Sequence, residues 1–204
     1  MDWSEKGWRS AFRIELRAQA IGLASRGWPV LPGTFPTDSG WAGRSGFETD
    51  GPVPVHNDWQ ERLGTNPDQV ASWWSGRPYS LLVATGSVVE AVEVDAGLGR
   101  SAATALRAVG MPVPIVATPA GRWYFLARGE PRLCAELAAH PEVHLHGPGS
   151  WIPLPPTPFH QGVVHWRVQP QVCGWQLPEF DLVQDALYAG LHERPDVAAL
   201  VATR

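Results

Sequence analysis

The stretch Ser80-Leu-Leu-Val-Ala-Thr-Gly-Ser-Val-Val-Glu-Ala-Val-Glu-Val-Asp95 holds two apolar runs around one small turn. Ser80 to Ala84 is continuous apolar chain and reads as a buried strand. Thr85-Gly86-Ser87 is turn chemistry, and Val88 to Asp95 then reads as a second strand. On that strand side chains alternate, so Glu93 and Asp95 lie on one face, two residues apart.

Outward from this pair the same alternation of signals continues. A helix is expected from about Arg100 to Val109, stopped by Gly110. Val113 to Ala117 and Arg122 to Ala127 read as strands around Pro119-Ala120-Gly121, and Pro131 to Ala139 reads as a helix. Further strands are expected near Val143 to His146, Trp151 to Leu154 and Val163 to Val168. On the N-terminal side, Gly7 to Ser25 has helical spacing, with Phe12, Leu16 and Leu23 as core contacts and Gly27 as the stop. Trp28 to Leu31 reads as a short strand. Pro32 to Asp58 is polar and rich in Gly and Pro, too long for an ordinary connection, and so is expected to be either a functional loop or partly mobile. Asn66-Pro67-Asp68 is a helix start, a capping side chain followed by proline in the first turn, with the helix running to Trp74. At the C-terminal end Phe180, Val183, Leu187 and Leu191 recur at helix spacing, and Pro195 separates a last short helix. Strands joined by short turns and interleaved with helices give a mixed α/β (α+β) domain with a largely antiparallel or mixed sheet. The expected organisation is one domain over 1–174, with a helical extension over 175–204 packed on it.

Composition bounds the function. The chain has 204 residues, 44% hydrophobic and 18% charged, as a globular protein does. Its net charge of −4 argues against nonspecific coating of nucleic acid, though not against a local basic groove. Fifteen of the sixteen positive residues are Arg, with Lys6 the one lysine. The eleven tryptophans can serve as core anchors or as base-stacking platforms. Of these, Trp59, Trp73, Trp74, Trp123 and Trp151 are the stacking candidates. Cys134 and Cys173 form no CxxC pair, and no N-terminal apolar run or 20-residue apolar segment occurs. A soluble, cytoplasmic protein without membrane association is expected. GxxxxGK, GxGxxG and GxSxG are absent, which leaves P-loop, Rossmann and hydrolase-elbow sites unsupported.

Taken in order, several short stretches resemble the bifunctional DNA primase/polymerase (Prim-Pol) family. Gly27-Trp28-Pro29-Val30-Leu31-Pro32 resembles its opening Gly-Trp-x-Val-x-Pro strand. Asn66-Pro67-Asp68 leading to Trp73-Trp74 resembles its helix ending in paired tryptophans. Thr85-Gly86 followed by Val92-Glu93-Val94-Asp95 resembles its Thr-Gly turn and acidic strand. Ala117 to Phe125 resembles its histidine-motif turn and strand, and Trp151 to Thr157 the stretch ending in Pro-Pro-Ser. The resemblance covers about Phe12 to Val168. It implies an RRM-like sheet joined to a second α/β half around a cleft, and template-directed nucleotidyl transfer that uses two divalent ions.

Three departures from the family pattern bear on the site. Glu93 stands where the family has the first Asp of its metal-binding pair, with Asp95 in the second place. Anchoring on Tyr124-Phe125 puts Arg122 at the position of the family's phosphate-contacting histidine, and makes Arg122 and Tyr124 the nucleotide-binding candidates. The family's third carboxylate position falls on His144, with His146 next on the same face. Two outcomes remain open. Glu93, Asp95 and His144 could form a mixed nitrogen/oxygen site, using Mg or Mn if active and suited to Mn or Zn if His144 ligates. Otherwise there is no metal, catalysis is weak or lost, and the cleft serves as a nucleotide or single-stranded DNA module or as a protein-contact surface. Expected partners are DNA, nucleotides and a separate helicase or replication protein.

Overall fold

A computed structural model describes residues 5–46 and 49–192. In chain order the elements are α1 (Glu5–Ala24), β1 (Val30–Gly33), β2 (Phe35–Thr37), β3 (Gly40–Ala42), α2 (Pro67–Trp73), β4 (Ser80–Ala84) and β5 (Glu90–Asp95). They continue with α3 (Ala96–Ala108), β6 (Ile115–Ala117), β7 (Arg122–Ala127), α4 (Ala135–Ala139), β8 (His144–His146) and β9 (Trp151–Pro153). The last are β10 (Pro158–Phe159), β11 (Gly162–Val163), β12 (His165–Val168) and α5 (Phe180–His192). The last short helix expected after Pro195 lies outside the described residues.

Two sheets organise these elements. β1, β4 and β9 form an antiparallel three-stranded sheet with β4 in the middle. The larger sheet is ordered β12-β6-β7-β5-β8, and every ladder in it is antiparallel. Its strands β6, β7, β5 and β8 follow the split βαββαβ plan, in which the first and third strands of the unit, β5 and β7, lie side by side in the middle. This is the RRM-like half that the motif order implies, and the fold is α+β. β5 is therefore a central strand and not a solvated edge.

Alternation along the larger sheet explains its two faces. Val92, Val94, Trp123, Phe125 and Ala127 point to one side, where they bury Leu98, Ala102 and Leu106 of α3 and Phe180, Val183 and Leu187 of α5. The two helices approach closely: a Cβ on Gly190 would come 2.7 Å from the backbone N of Ala102, so this contact needs glycine. α5 thus belongs to the same core as the sheet. The other face carries Ala91, Val116, Tyr124 and Leu126, which share a core with Leu16, Ala20 and Leu23 of α1 and with Leu81 and Val83 of β4.

Local signals set the smaller elements. Asn66 caps α2, its side chain accepting from the N–H groups of Asp68 (2.9 Å) and Gln69 (3.3 Å), with Pro67 in the first turn. The expected loop over 32–58 contains the β2–β3 hairpin, whose register pairs Phe35 with Ala42 and Thr37 with Gly40. α4 is shorter than expected, because Cys134 sits at its N-cap with an extended backbone.

Thr157, directly after the cis Pro155–Pro156 bond, ties this segment to β4 through its side chain. The fully buried Thr157 hydroxyl accepts from the Leu81 N–H (2.9 Å) and donates to the Leu81 carbonyl (2.8 Å). Thr157→Val keeps the shape but orphans that buried N–H, and should cost about 1–3 kcal/mol in equilibrium denaturation. Thr157→Ser, which keeps the hydroxyl, should recover most of that loss.

Candidate functional site

The β7–β5–β8 register brings the motif residues onto adjacent strands. Glu93 pairs with Tyr124 on one side and His144 on the other, Asp95 with Arg122, and Ala91 with His146. All of these lie on the sheet face opposite α3 and α5. The sequence therefore places Glu93, Asp95, Arg122, Tyr124, His144 and His146 on one face of one sheet.

Their contacts differ from a cluster of open ligands. Arg122 Nε donates to Glu93 Oε1 at 2.6 Å, and His146 Nε2 lies 2.7 Å from Glu93 Oε2. Arg122 also reaches Glu142, with Nη1 2.5 Å from Oε2 and Nη2 2.9 Å from the carbonyl oxygen. The Glu93 side chain is 14% exposed and the Arg122 and His146 side chains 20%, so the ion pairs are largely shielded from water. An ionised carboxylate can only accept, which puts a proton on His146 Nε2. In the neutral tautomer Nδ1 then accepts the Ser150 hydroxyl, 2.9 Å away.

The acid–base balance follows from these contacts. Burial alone pushes the Glu93 carboxyl up, but the hydrogen bonds and charges of His146 and Arg122 overcome it and hold the group at about 2. Burial pulls the Arg122 guanidinium down, and Glu93 and Glu142 more than reverse this. Tyr124 is 7% exposed, and burial together with the neighbouring Glu93 charge pushes its phenol well above the usual range.

Asp95 has a different occupation. It is the N-cap of α3, and its Oδ1 accepts from the N–H groups of Gly97 (2.6 Å) and Leu98 (3.2 Å). α3 begins four residues before the expected Arg100; Gly97 and Gly99 weaken the helical signal in the chain. An Asp directly before a helical run was the available cue for the cap. His144 stands directly across from Glu93 and is exposed. Contact with Glu93 goes instead to His146, two residues further along β8 on the same face, because a long side chain reaches the diagonal cross-strand neighbour.

Ser150 and Glu142 were not legible as site residues. Ser150 is positioned by the segment 147–150, which is fastened onto the Thr85-Gly86 turn. Thr85 Oγ1 donates to the Gly147 carbonyl (2.7 Å), and the Thr85 N–H donates to the Ser150 carbonyl (3.0 Å). Gly86 has φ +103° and lies hard against Pro148. The Thr-Gly motif therefore holds the strap that orients His146 and Ser150.

As arranged, these side chains do not fit a pair of divalent ions. Such ions need carboxylate oxygens not already paired with cations. Both Glu93 oxygens face a cationic or N–H donor, and Asp95 caps a helix. Among the described residues, no group of three or more His, Cys, Asp and Glu is arranged to hold a metal ion. Arg122 is likewise engaged by Glu93 and Glu142, the groups a phosphate would have to displace. Of the tryptophan candidates, Trp74 and Trp123 are buried and Trp73 packs on the core. Trp59 and Trp151 pack edge to face, 5.5 Å apart, beside Leu31 and Leu82. Cys134, expected within a helix, caps α4 and is half-buried.

The family described as "Bifunctional DNA primase/polymerase, N-terminal" matches residues 20–180. The chain belongs to the Prim-Pol family. The match runs from within α1 to the start of α5, so it takes in both halves of this Prim-Pol domain. No curated protein matches the chain. At the family level it is a primase/polymerase-like domain. No helix of the described residues is long and apolar enough to cross a membrane.

Proposed function

We propose that this Prim-Pol domain supports nucleotidyl transfer weakly or not at all. The observation that carries this reading is the Glu93 carboxylate, which bonds Arg122 at 2.6 Å and His146 at 2.7 Å. Two-ion transfer depends on carboxylates that hold metal beside the attacking hydroxyl and the leaving phosphate. In this chain the first carboxylate is held by the Arg122 guanidinium and the His146 ring, and the third position is His144. Recruiting Glu93 to a metal would break two charge-assisted hydrogen bonds and leave Arg122 and His146 to find other partners.

Primer extension tests the reading. With Mg or Mn, all four nucleotides and a primed template, extension should be absent or marginal. The informative control is Asp95→Asn, because asparagine also caps helices and so removes the charge without undoing α3. Robust extension by the wild-type chain, lost in Asp95→Asn, would overturn the proposal.

A further inference from the structure

The site network leaves one buried acid unused. Glu90, at the start of β5, is 4% exposed, and its Oε2 has no hydrogen-bond partner within the chain. It lies under the strap that carries Ser150. A Cβ on Gly147 would come 3.8 Å from Glu90 Oε2 and 3.4 Å from Pro131, so carboxyl, strap and Pro131 are packed together. The strap is otherwise held by the two Thr85 hydrogen bonds and the close Gly86–Pro148 contact.

No charged partner compensates Glu90. On β7 its cross-strand neighbour is Ala127. The Gly86 N–H of the turn before β5 donates to the Val89 carbonyl (3.0 Å) and only partly offsets the effect of burial on Glu90. The nearby charges point elsewhere: Arg128 pairs with Glu179, Glu130 and Arg132 flank Pro131 and are exposed, and His146 is committed to Glu93 and Ser150. An ionised carboxylate with an unpaired oxygen is costly to keep there, whereas a protonated one is not.

We propose that Glu90 is a proton-operated latch on the 147–150 strap: protonated, it lies quietly beneath a closed strap, and ionised, it favours a loosened strap that releases Ser150 from His146. Burial raises the Glu90 carboxyl to about 6, with the Gly86 N–H opposing. The sign follows. Between about pH 4.5 and 6 the folded chain holds a proton that the unfolded chain has lost, so stability falls as pH rises through this window. The strap therefore tightens in mild acid, opposite to the usual behaviour of an ion-paired acid.

Hydrogen exchange of the full chain at pH 5 and pH 7.5, corrected for intrinsic rates, tests this. Exchange at the Thr85 and Ser150 amides should be faster at pH 7.5 by on the order of tenfold, the equilibrium effect of a shift of one unit. In Glu90→Gln the corrected rates should be equal at the two pH values. A second reading needs no variant: the wild-type Glu90 carboxyl ¹³C resonance should titrate with the same midpoint as strap exchange. Equal pH dependence in wild type and Glu90→Gln, or a strap midpoint that does not follow the Glu90 resonance, would overturn the latch.

Discussion

Gly86→Val should cost the domain about 3 kcal/mol or more, the largest effect of any single substitution considered. Two causes add. Gly86 has φ +103°, where a β-branched residue is strained. A Cβ there would also fall 2.2 Å from Pro148 Cα and 2.7 Å from Pro148 N, which are backbone atoms that cannot swing aside. The strap would be pushed off the Thr85 turn, so the loss should appear in both the denaturation midpoint and the environment of Trp151, next to Ser150. Gly110→Val, also at positive φ but with open space around it, isolates the backbone term and should cost less.

Glu93→Gln is the second large effect. It removes the charge that Arg122 and His146 share, and leaves two partly buried donors facing a neutral amide. With the folded carboxyl at about 2 against an ordinary 4.5, the linkage is worth about 3 kcal/mol at neutral pH. The group's folded value is depressed, so its contribution is fully present above about pH 4.5 and is lost as pH falls towards 2. Urea midpoints of wild type and Glu93→Gln should differ most near pH 7 and converge near pH 2–3. Arg122 keeps Glu142 as a second partner, which limits the damage to the network.

Much of the fold could be read from the chain because its signals are local. Asn66-Pro67, the apolar run Ser80 to Ala84 and the alternation of Val92 and Val94 each act within a few residues. The shared face of Glu93, Arg122 and His146 also followed, since strand alternation and family register agree. What the site side chains do with that closeness was less legible. The Asp95 cap depends on where α3 begins, and two glycines obscured that point. The preference for His146 over His144 depends on a diagonal reach between strands that register alone does not fix. Ser150 enters only because a strap four residues long folds back on Thr85, a contact between segments more than sixty residues apart in sequence. The same long-range contact buries Glu90, which read as an ordinary strand residue.

The central claim is that Arg122 and His146 hold the Glu93 carboxylate in this Prim-Pol domain, and one titration tests it most directly. The ¹³C carboxyl resonance of Glu93 should be followed from pH 7 downward, with and without Mn. The account predicts that the group stays ionised to about pH 2 and that Mn leaves its titration unchanged. A midpoint near the ordinary 4.5, or selective paramagnetic broadening of Glu93 at low Mn concentration, would contradict it.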